Sequence, residues 1–242
     1  MNNRAFVAKL GAVALVVAIA QPVLAGGGIK ATAKYDGERP KRTVLKMDAD
    51  QYCATANKKD DGSPKKVGSE EAIVNKDGTV RNVIVYVKDG LGDAEFETPT
   101  TRAELDQQGC MYHPHVQSLQ TKQPMLVRNS DATLHNIHSF AQKQKAFNFA
   151  QPKQGDEKEV SFAREEIVKV KCDVHPWMSA YVGVFAHPFH AVTSKKGDCE
   201  IADLPAGEYT FVAWHETFGE VEQKVTIADG AAAEVEFVFK AK

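Results

Sequence analysis

The sequence predicts an all-β protein, and two observations predict it. Apolar and polar residues alternate with period two along most of the chain, and the alternating runs are short and punctuated by Gly and Asp-Gly turns. Together they indicate an antiparallel β-sandwich architecture. Ile29, Ala31, Ala33 and Tyr35 alternate with Lys30, Thr32 and Lys34, a half-buried strand closed by Asp36-Gly37. Val83, Val85 and Val87 alternate with Ile84 and Tyr86, so both faces are apolar and this is a central strand ended by Asp89-Gly90. Thr101-Arg102-Ala103-Glu104 has the form of a capping box and predicts one short helix. Met125 to Val127, Val160 to Phe162, and Ile167 to Lys171 are further apolar runs. Near the end, Tyr209 to Trp214 follows the turn Leu204 to Gly207; then come Val225 and Ile227, and finally Val235, Phe237 and Phe239. There is no internal repeat.

The first residues have the make-up of an export signal. Arg4 and Lys9 precede an apolar run from Leu10 to Ala20, and Val23-Leu24-Ala25 offers a small-x-small cleavage pattern. The run falls short of the ~20 residues that a membrane span needs. Cleavage after Ala25 leaves a periplasmic mature chain with no membrane span. The formal charge is −2, and −4 without Arg4 and Lys9, with no sustained basic stripe, which argues against nucleic acid. The polar stretch from Ala54 to Ala72 reads as a solvated loop.

The chemistry concentrates in Cys172-Asp173-Val174-His175-Pro176-Trp177-Met178, which places a thiolate, an imidazole and a thioether within seven residues. Upstream, Leu134-His135-Asn136-Ile137-His138 supplies a second imidazole. Two His, one Cys and a weak axial Met are the donor set of a blue-copper electron-transfer site. Zinc takes Cys, His and carboxylate, and seldom a thioether. Val168, Val170 and Cys172 share one face of a strand, which carries the sulfur inward. Pro176 then stiffens the turn that returns His175 and Met178 to the same point. Strand alternation puts His135 and His138 on opposite faces, and His135 is the one assigned to the metal.

A ligand thiolate must stay unpaired, which leaves three cysteines. Cys53 and Cys110, both in polar loop contexts, are the expected disulfide of an exported protein. Cys199 enters an apolar strand as a small hydrophobe; a Cys172–Cys199 pairing is the competing arrangement and would abolish the site. His113 and His115, with His187 and His190, could build a second metal site or could be surface and hydrogen-bonding residues. The chain has no C-x-x-C-H haem motif, no paired-cysteine binuclear copper motif and no phosphate-cradling Gly loop.

The C-x2-H-x2-M spacing with an upstream His-Asn resembles the cupredoxins, and in loop length most closely amicyanin and related methylamine-utilisation copper proteins. The resemblance covers roughly residues 116–193. It implies a Greek-key sandwich holding one type 1 copper near one end. His135, Cys172 and His175 would be its ligands, Met178 the axial one, and Asn136 the residue tying the ligand loops together. It also implies that His175 is the ligand nearest solvent, with Pro176 and Trp177 in the surround where a redox partner docks. The pattern from Gly197 to Thr210 resembles the carboxypeptidase-regulatory or transthyretin-like β-sandwich. The expected organisation is a signal peptide over 1–25 and a β flank over 26–109 with its polar loop at 54–72. A copper domain over 110–193 follows, and then a segment over 194–242 that packs with the first flank as a second small sandwich.

The function expected is a single-electron carrier cycling between Cu(I) and Cu(II), not an enzyme. Its partner would be a redox protein such as a c-type cytochrome or a dehydrogenase. A periplasmic copper chaperone or store, and an interaction module with a structural metal, are the alternatives.

Overall fold

Alternation becomes strand wherever one face of a run can be buried, and nearly all of this chain obeys. A computed structural model describes residues 26–241; the expected signal peptide lies outside the described residues. The elements begin with β1 (Gly27–Asp36), α1 (Gln51–Ala56), β2 (Ile84–Asp89), β3 (Ala103–Gln108), β4 (Met111–His113) and β5 (Val116–Gln120). Next come β6 (Met125–Asn129), β7 (His135–Ser139), β8 (Asn148–Gln151), β9 (Glu157–Val160), β10 (Glu166–Lys171) and β11 (Ser179–Phe185). The chain finishes with β12 (His190–Val192), β13 (Asp198–Leu204), β14 (Gly207–His215), β15 (Gly219–Ile227) and β16 (Ala232–Lys240). The fold is all-β, and no helix among the described residues is long and apolar enough to cross a membrane.

Two pairs of sheets each enclose a core. In the middle of the chain, the sheet β5-β11-β10-β7-β8 faces β4-β3-β6-β9. Between them lie Leu105, Tyr112, Met125, Val127, Ile137, Val168, Val170 and Val182, with Cys172 and Met178 in the same cluster. The second pair, β13-β1-β16 and β12-β2-β14-β15, comes from the two ends of the chain. Its core holds Ile29, Val85, Phe211, Phe237 and Phe239. The run from Met47 to Val67 belongs to neither set of strands, yet Met47, Cys53 and Tyr52 pack on the first core.

Pairing is mixed rather than purely antiparallel. β1 runs parallel to β16, β3 to β6, and β5 to β11. The chain crosses to the opposite sheet between the members of such pairs, as β5 does between β3 and β6, so the returning strand arrives in the same direction. The capping-box reading of Thr101 to Glu104 is corrected: Ala103 opens strand β3. Leu105 and Gln107 are fully buried while Glu104 and Gln108 are exposed, and a period-two core face overrides a local capping signal. Helix begins instead at Gln51, where the Asp50 carboxylate caps the Cys53 amide at 3.0 Å, so Ala54 to Ala56 are helical rather than loop. At Gly90, φ is +111° and a Cβ would lie 2.5 Å from the Glu208 carbonyl oxygen, so the turn after β2 demands glycine.

The two cores are joined by Ile84, Val116 and Phe185, with Tyr181 and Trp214 packed against them. Beside this seam, His115 donates through Nε2 to the Glu216 carboxylate and through Nδ1 to the Ser179 carbonyl at 3.0 Å. Both side chains are buried. Burial pushes the His115 imidazole down, but Glu216 outweighs it and raises the group above its ordinary value. A raised histidine stabilises fully below its unfolded value of about 6.5 and loses that contribution as pH climbs through the folded one. Glu216→Gln should therefore lower the unfolding free energy at pH 6 by about 3 to 5 kcal/mol, the cost of breaking a buried pair. The deficit should shrink as pH rises, which denaturant titrations across pH 6 to 10 would measure.

Candidate metal centre

The hairpin from β10 to β11 builds half of the site. Its register, Val170 opposite Ala180 and Lys171 opposite Ser179, brings Cys172 across from Met178. The Cys172 amide donates to the Met178 carbonyl at 3.2 Å, and the Met178 amide donates to the His175 carbonyl at 2.9 Å. The loop thus folds back on itself, with Cys172, His175 and Met178 all buried. β7 lies antiparallel to β10, with Lys171 opposite His138, and its first residue, His135, is fully buried against the loop. The His135, Cys172 and His175 donor atoms all lie within 4.8 Å of one another.

The two imidazoles meet Nδ1 to Nδ1 at 2.9 Å, and Cys172 Sγ lies 3.7 Å from His175 Nδ1. Their far nitrogens face carboxylates: His135 Nε2 is 2.9 Å from Asp131 Oδ2, and His175 Nε2 is 3.3 Å from Asp50 Oδ2. A carboxylate only accepts, so Nε2 carries a proton in each ring; burial pushes His135 down, but Asp131 and Cys172 outweigh it and raise the ring above its ordinary value, so that its Nδ1 shares a proton with the His175 Nδ1 lone pair and with Cys172. Two ring nitrogens and a sulfur therefore converge on one point in a buried setting, and a bound cation would take the place of the proton they share. A single first-row ion, with bonds of about 2.0 to 2.3 Å to nitrogen and sulfur, can span these separations.

The electrostatics prepare the donors. Burial pushes the Cys172 thiol up, but hydrogen bonds from His135 and from the amides of Asn136, His175 and Val174 outweigh it and hold it below the ordinary range. His175 is pushed down, first by burial and against the pull of Asp50, which keeps its ring neutral. Asp131 is anchored firmly. Its Oδ1 accepts from the Gly109 amide at 2.8 Å and the Tyr52 hydroxyl at 3.1 Å, and its Oδ2 from the Cys110 amide at 2.7 Å. Carboxylate–imidazole pairs of this kind fix tautomer and ring orientation at metal sites.

Asn136 ties the two loops together. Its Oδ1 accepts from the Asp173 amide at 2.6 Å and lies 3.4 Å from Cys172 Sγ, and its Nδ2 donates to Asn148 and Asp173. His138 turns outward to the Asp173 carboxylate, at 3.2 Å, and stacks on Phe140. All four candidate ligands are buried, and His175, at 1% exposed, is covered on its Nε2 edge by α1 and Cys53. Pro176 is exposed, whereas Trp177 is half-buried and donates its indole N–H to the Cys110 carbonyl at 3.0 Å.

Cys53 and Cys110 are joined as a disulfide, 57 residues apart, and Cys172 and Cys199 are free. Closing a loop of that length removes about 4 kcal/mol of chain entropy from the unfolded state. Cys199 lies half-buried against the flank core, where burial pushes its thiol up to about 12. Of the spare histidines, His187 and His190 lie with ring centroids 6.4 Å apart, but none of the four enters a group of three close donors among the described residues. His113 meets the Gln108 carbonyl and His115 is taken by Glu216. His187 has both nitrogens occupied by backbone, and His190 Nδ1 meets Ser118.

Two contributors escape a reading of the sequence: Asp131 and Asp50. Asp131 sits four residues before His135 on a loop, and Asp50 is the cap of a helix far away in the chain, so only tertiary contact reveals their partners.

Solved structures of copper proteins, cupredoxins among them, match a part of the chain. A purple cupredoxin from Nitrosopumilus maritimus is 26% identical over 34% of this chain and 98% of its own, with a TM-score of 0.30. A Cu(I) amicyanin mutant is 17% identical over 41% of this chain and 97% of its own, at 0.32. A Cu-containing nitrite reductase from Thermus scotoductus is 18% identical over 38% of this chain but only 24% of its own length, at 0.31. No protein-family model and no curated protein matches the chain. With TM-scores near 0.3, the assignment of the site rests on its donor atoms.

Asp131→Asn keeps the shape of the side chain but gives His135 Nε2 an amide for a partner, freeing the ring to change tautomer. Metal affinity should fall roughly 10- to 100-fold, as for other partners of ligand histidines. Competition with a chromophoric chelator measures it, and an unchanged affinity would show that the carboxylate does not orient His135.

Proposed function

We propose that this chain is an exported type 1 copper protein that carries single electrons. His135, Cys172 and His175 would hold the ion, and Met178 would be the weak axial donor. Bound there, copper supplies a one-electron Cu(I)/Cu(II) couple. The observation that carries the reading is the convergence of two Nδ1 atoms and the Cys172 sulfur, with both carboxylates turned away onto the Nε2 atoms. A zinc site would be expected to enlist one of those carboxylates directly. Copper tolerates the softer set, and Met178, fully buried in the same loop, offers a thioether.

The residues around the donors divide the remaining work. Asp131 and Asp50 keep each ring in one tautomer, Asn136 keeps the two loops in register, and the surrounding apolar core excludes water. A preformed, buried cage of this kind needs little rearrangement when its charge changes by one. The flank sandwich, built from both ends of the chain, would be a carboxypeptidase-regulatory-like unit into which the copper-holding sandwich is inserted. A periplasmic setting with a protein redox partner, such as a c-type cytochrome or a dehydrogenase, completes the proposal.

The burial of His175 favours one second reading, a protein that holds Cu(I) without turnover. Reversible, fast voltammetry of the copper-loaded protein supports the carrier; a sluggish or absent couple with tight Cu(I) retention supports the store.

One equivalent of Cu(II) added to the mature chain should give an intense blue or green thiolate-to-copper band with narrowed hyperfine splitting. Cys172→Ser should abolish that band. Met178→Gln should keep copper and lower the potential, because a harder axial oxygen favours Cu(II). A pale, ordinary Cu(II) spectrum from the unaltered protein would sink the type 1 assignment.

A further inference from the structure

Behind the two histidines lies a second concentration of donors. Asp50, Cys53 and His175 place ligand atoms within 4.8 Å of one another, and so do Cys110, Asp131 and His135. The two sets are joined through the Cys53–Cys110 disulfide, on the opposite side of the imidazoles from Cys172. Cys53 Sγ lies 3.5 Å from His175 Nε2, the protonated nitrogen. Both sulfurs are buried, yet Cys53 rides on the six-residue helix α1, whose Gln51, Ala54 and Thr55 face solvent. The chain that follows, from Lys58 to Lys66, is exposed and held mainly by a single bridge between Lys58 and Pro64. α1 is thus a short cap, fastened by its disulfide, over the edge of His175.

We infer that the reduced Cys53–Cys110 pair is a second, entry-side site for Cu(I), which the disulfide closes when oxidised. A dithiol reductant would break the S–S bond. Two electrons and two protons pass to Cys53 and Cys110, and the reductant leaves as a cyclic disulfide. Cu(I) would then displace both thiol protons and form two Cu–S bonds. The Cα atoms, 5.6 Å apart, let two thiolates reach one ion, and two thiolates are the donors that soft Cu(I) selects. The resulting negative charge faces the Nε2–H of His175, a donor already aimed at Cys53. The site lies next to a ligand of the proposed copper centre. Its existence does not depend on the type 1 reading.

The test uses the full mature chain carrying Cys172→Ser, which removes the first thiolate and leaves the disulfide. The protein is reduced anaerobically with a dithiol, desalted, and counted for thiols under native conditions. Cu(I) supplied as its acetonitrile complex is then titrated against a chromophoric Cu(I) chelator. Reduction should raise the thiol count from one to three and add one Cu(I) per chain to whatever the oxidised protein retains. X-ray absorption should show two sulfur neighbours on the added copper. A second variant, Cys53→Ser in the same background, should return retention to the oxidised value. Three thiols with no added copper would overturn the proposal, as would a disulfide that resists reduction in the folded protein, or retention unaffected by Cys53→Ser. The blue-copper spectrum of the unaltered protein is read separately, so either result can fail without the other.

Discussion

Two imidazole nitrogens held face to face at 2.9 Å are the constraint around which the middle of this protein is organised. Left to themselves, the rings could rotate and present other edges to each other. Asp131 and Asp50 prevent it by claiming the Nε2 protons, and a chain of further contacts prevents the carboxylates from moving. Asp131 alone gathers the Gly109 and Cys110 amides, the Tyr52 hydroxyl and His135. Asp50 is at once a helix cap and a histidine partner, so forming α1 and orienting His175 are one event. The packed sandwich around the pair holds these contacts in place.

That dependence explains why the run from Met47 to Val67 behaves as part of the central sandwich without contributing a strand to it. Besides packing Met47, Tyr52 and Cys53 on the core, it makes specific contacts: a cap, a disulfide, the Tyr52 hydroxyl, and the Asn57 amide on the Gly109 carbonyl at 2.7 Å. By contrast, the seam between the two sandwiches is apolar, with one buried ion pair at its edge. A buried pair at such a seam fixes geometry more than it adds stability.

Much of this was legible in the residues, and for identifiable reasons. The all-β class follows from period-two runs, because a strand's faces alternate by geometry. The assembly of Cys172, His175 and Met178 follows from a hairpin whose spacing leaves little choice. Asn136 and the separation of His135 from His138 follow from neighbours in sequence. What escaped reading depends on distance along the chain. Nothing near Asp50 announces a histidine 125 residues away. The cover over His175 is hidden for the same reason, since it comes from a segment far away in the chain. Thr101 to Glu104 misled in the other direction: a true local signal lost to the core face of β3.

The parallel pairing of β1 with β16 has a mechanical consequence. Nine residue pairs, from Gly28 with Ala232 to Asp36 with Lys240, lie side by side with their directions matched. Tension drawing the start of β1 away from the end of β16 loads all of those rungs at once, in shear, rather than peeling them one by one. The central sandwich hangs between these strands in the chain, outside the line of force. A molecule tethered or tugged at its margins would therefore yield last at this ladder, and the donor cluster of His135, Cys172 and His175 would feel little of the pull.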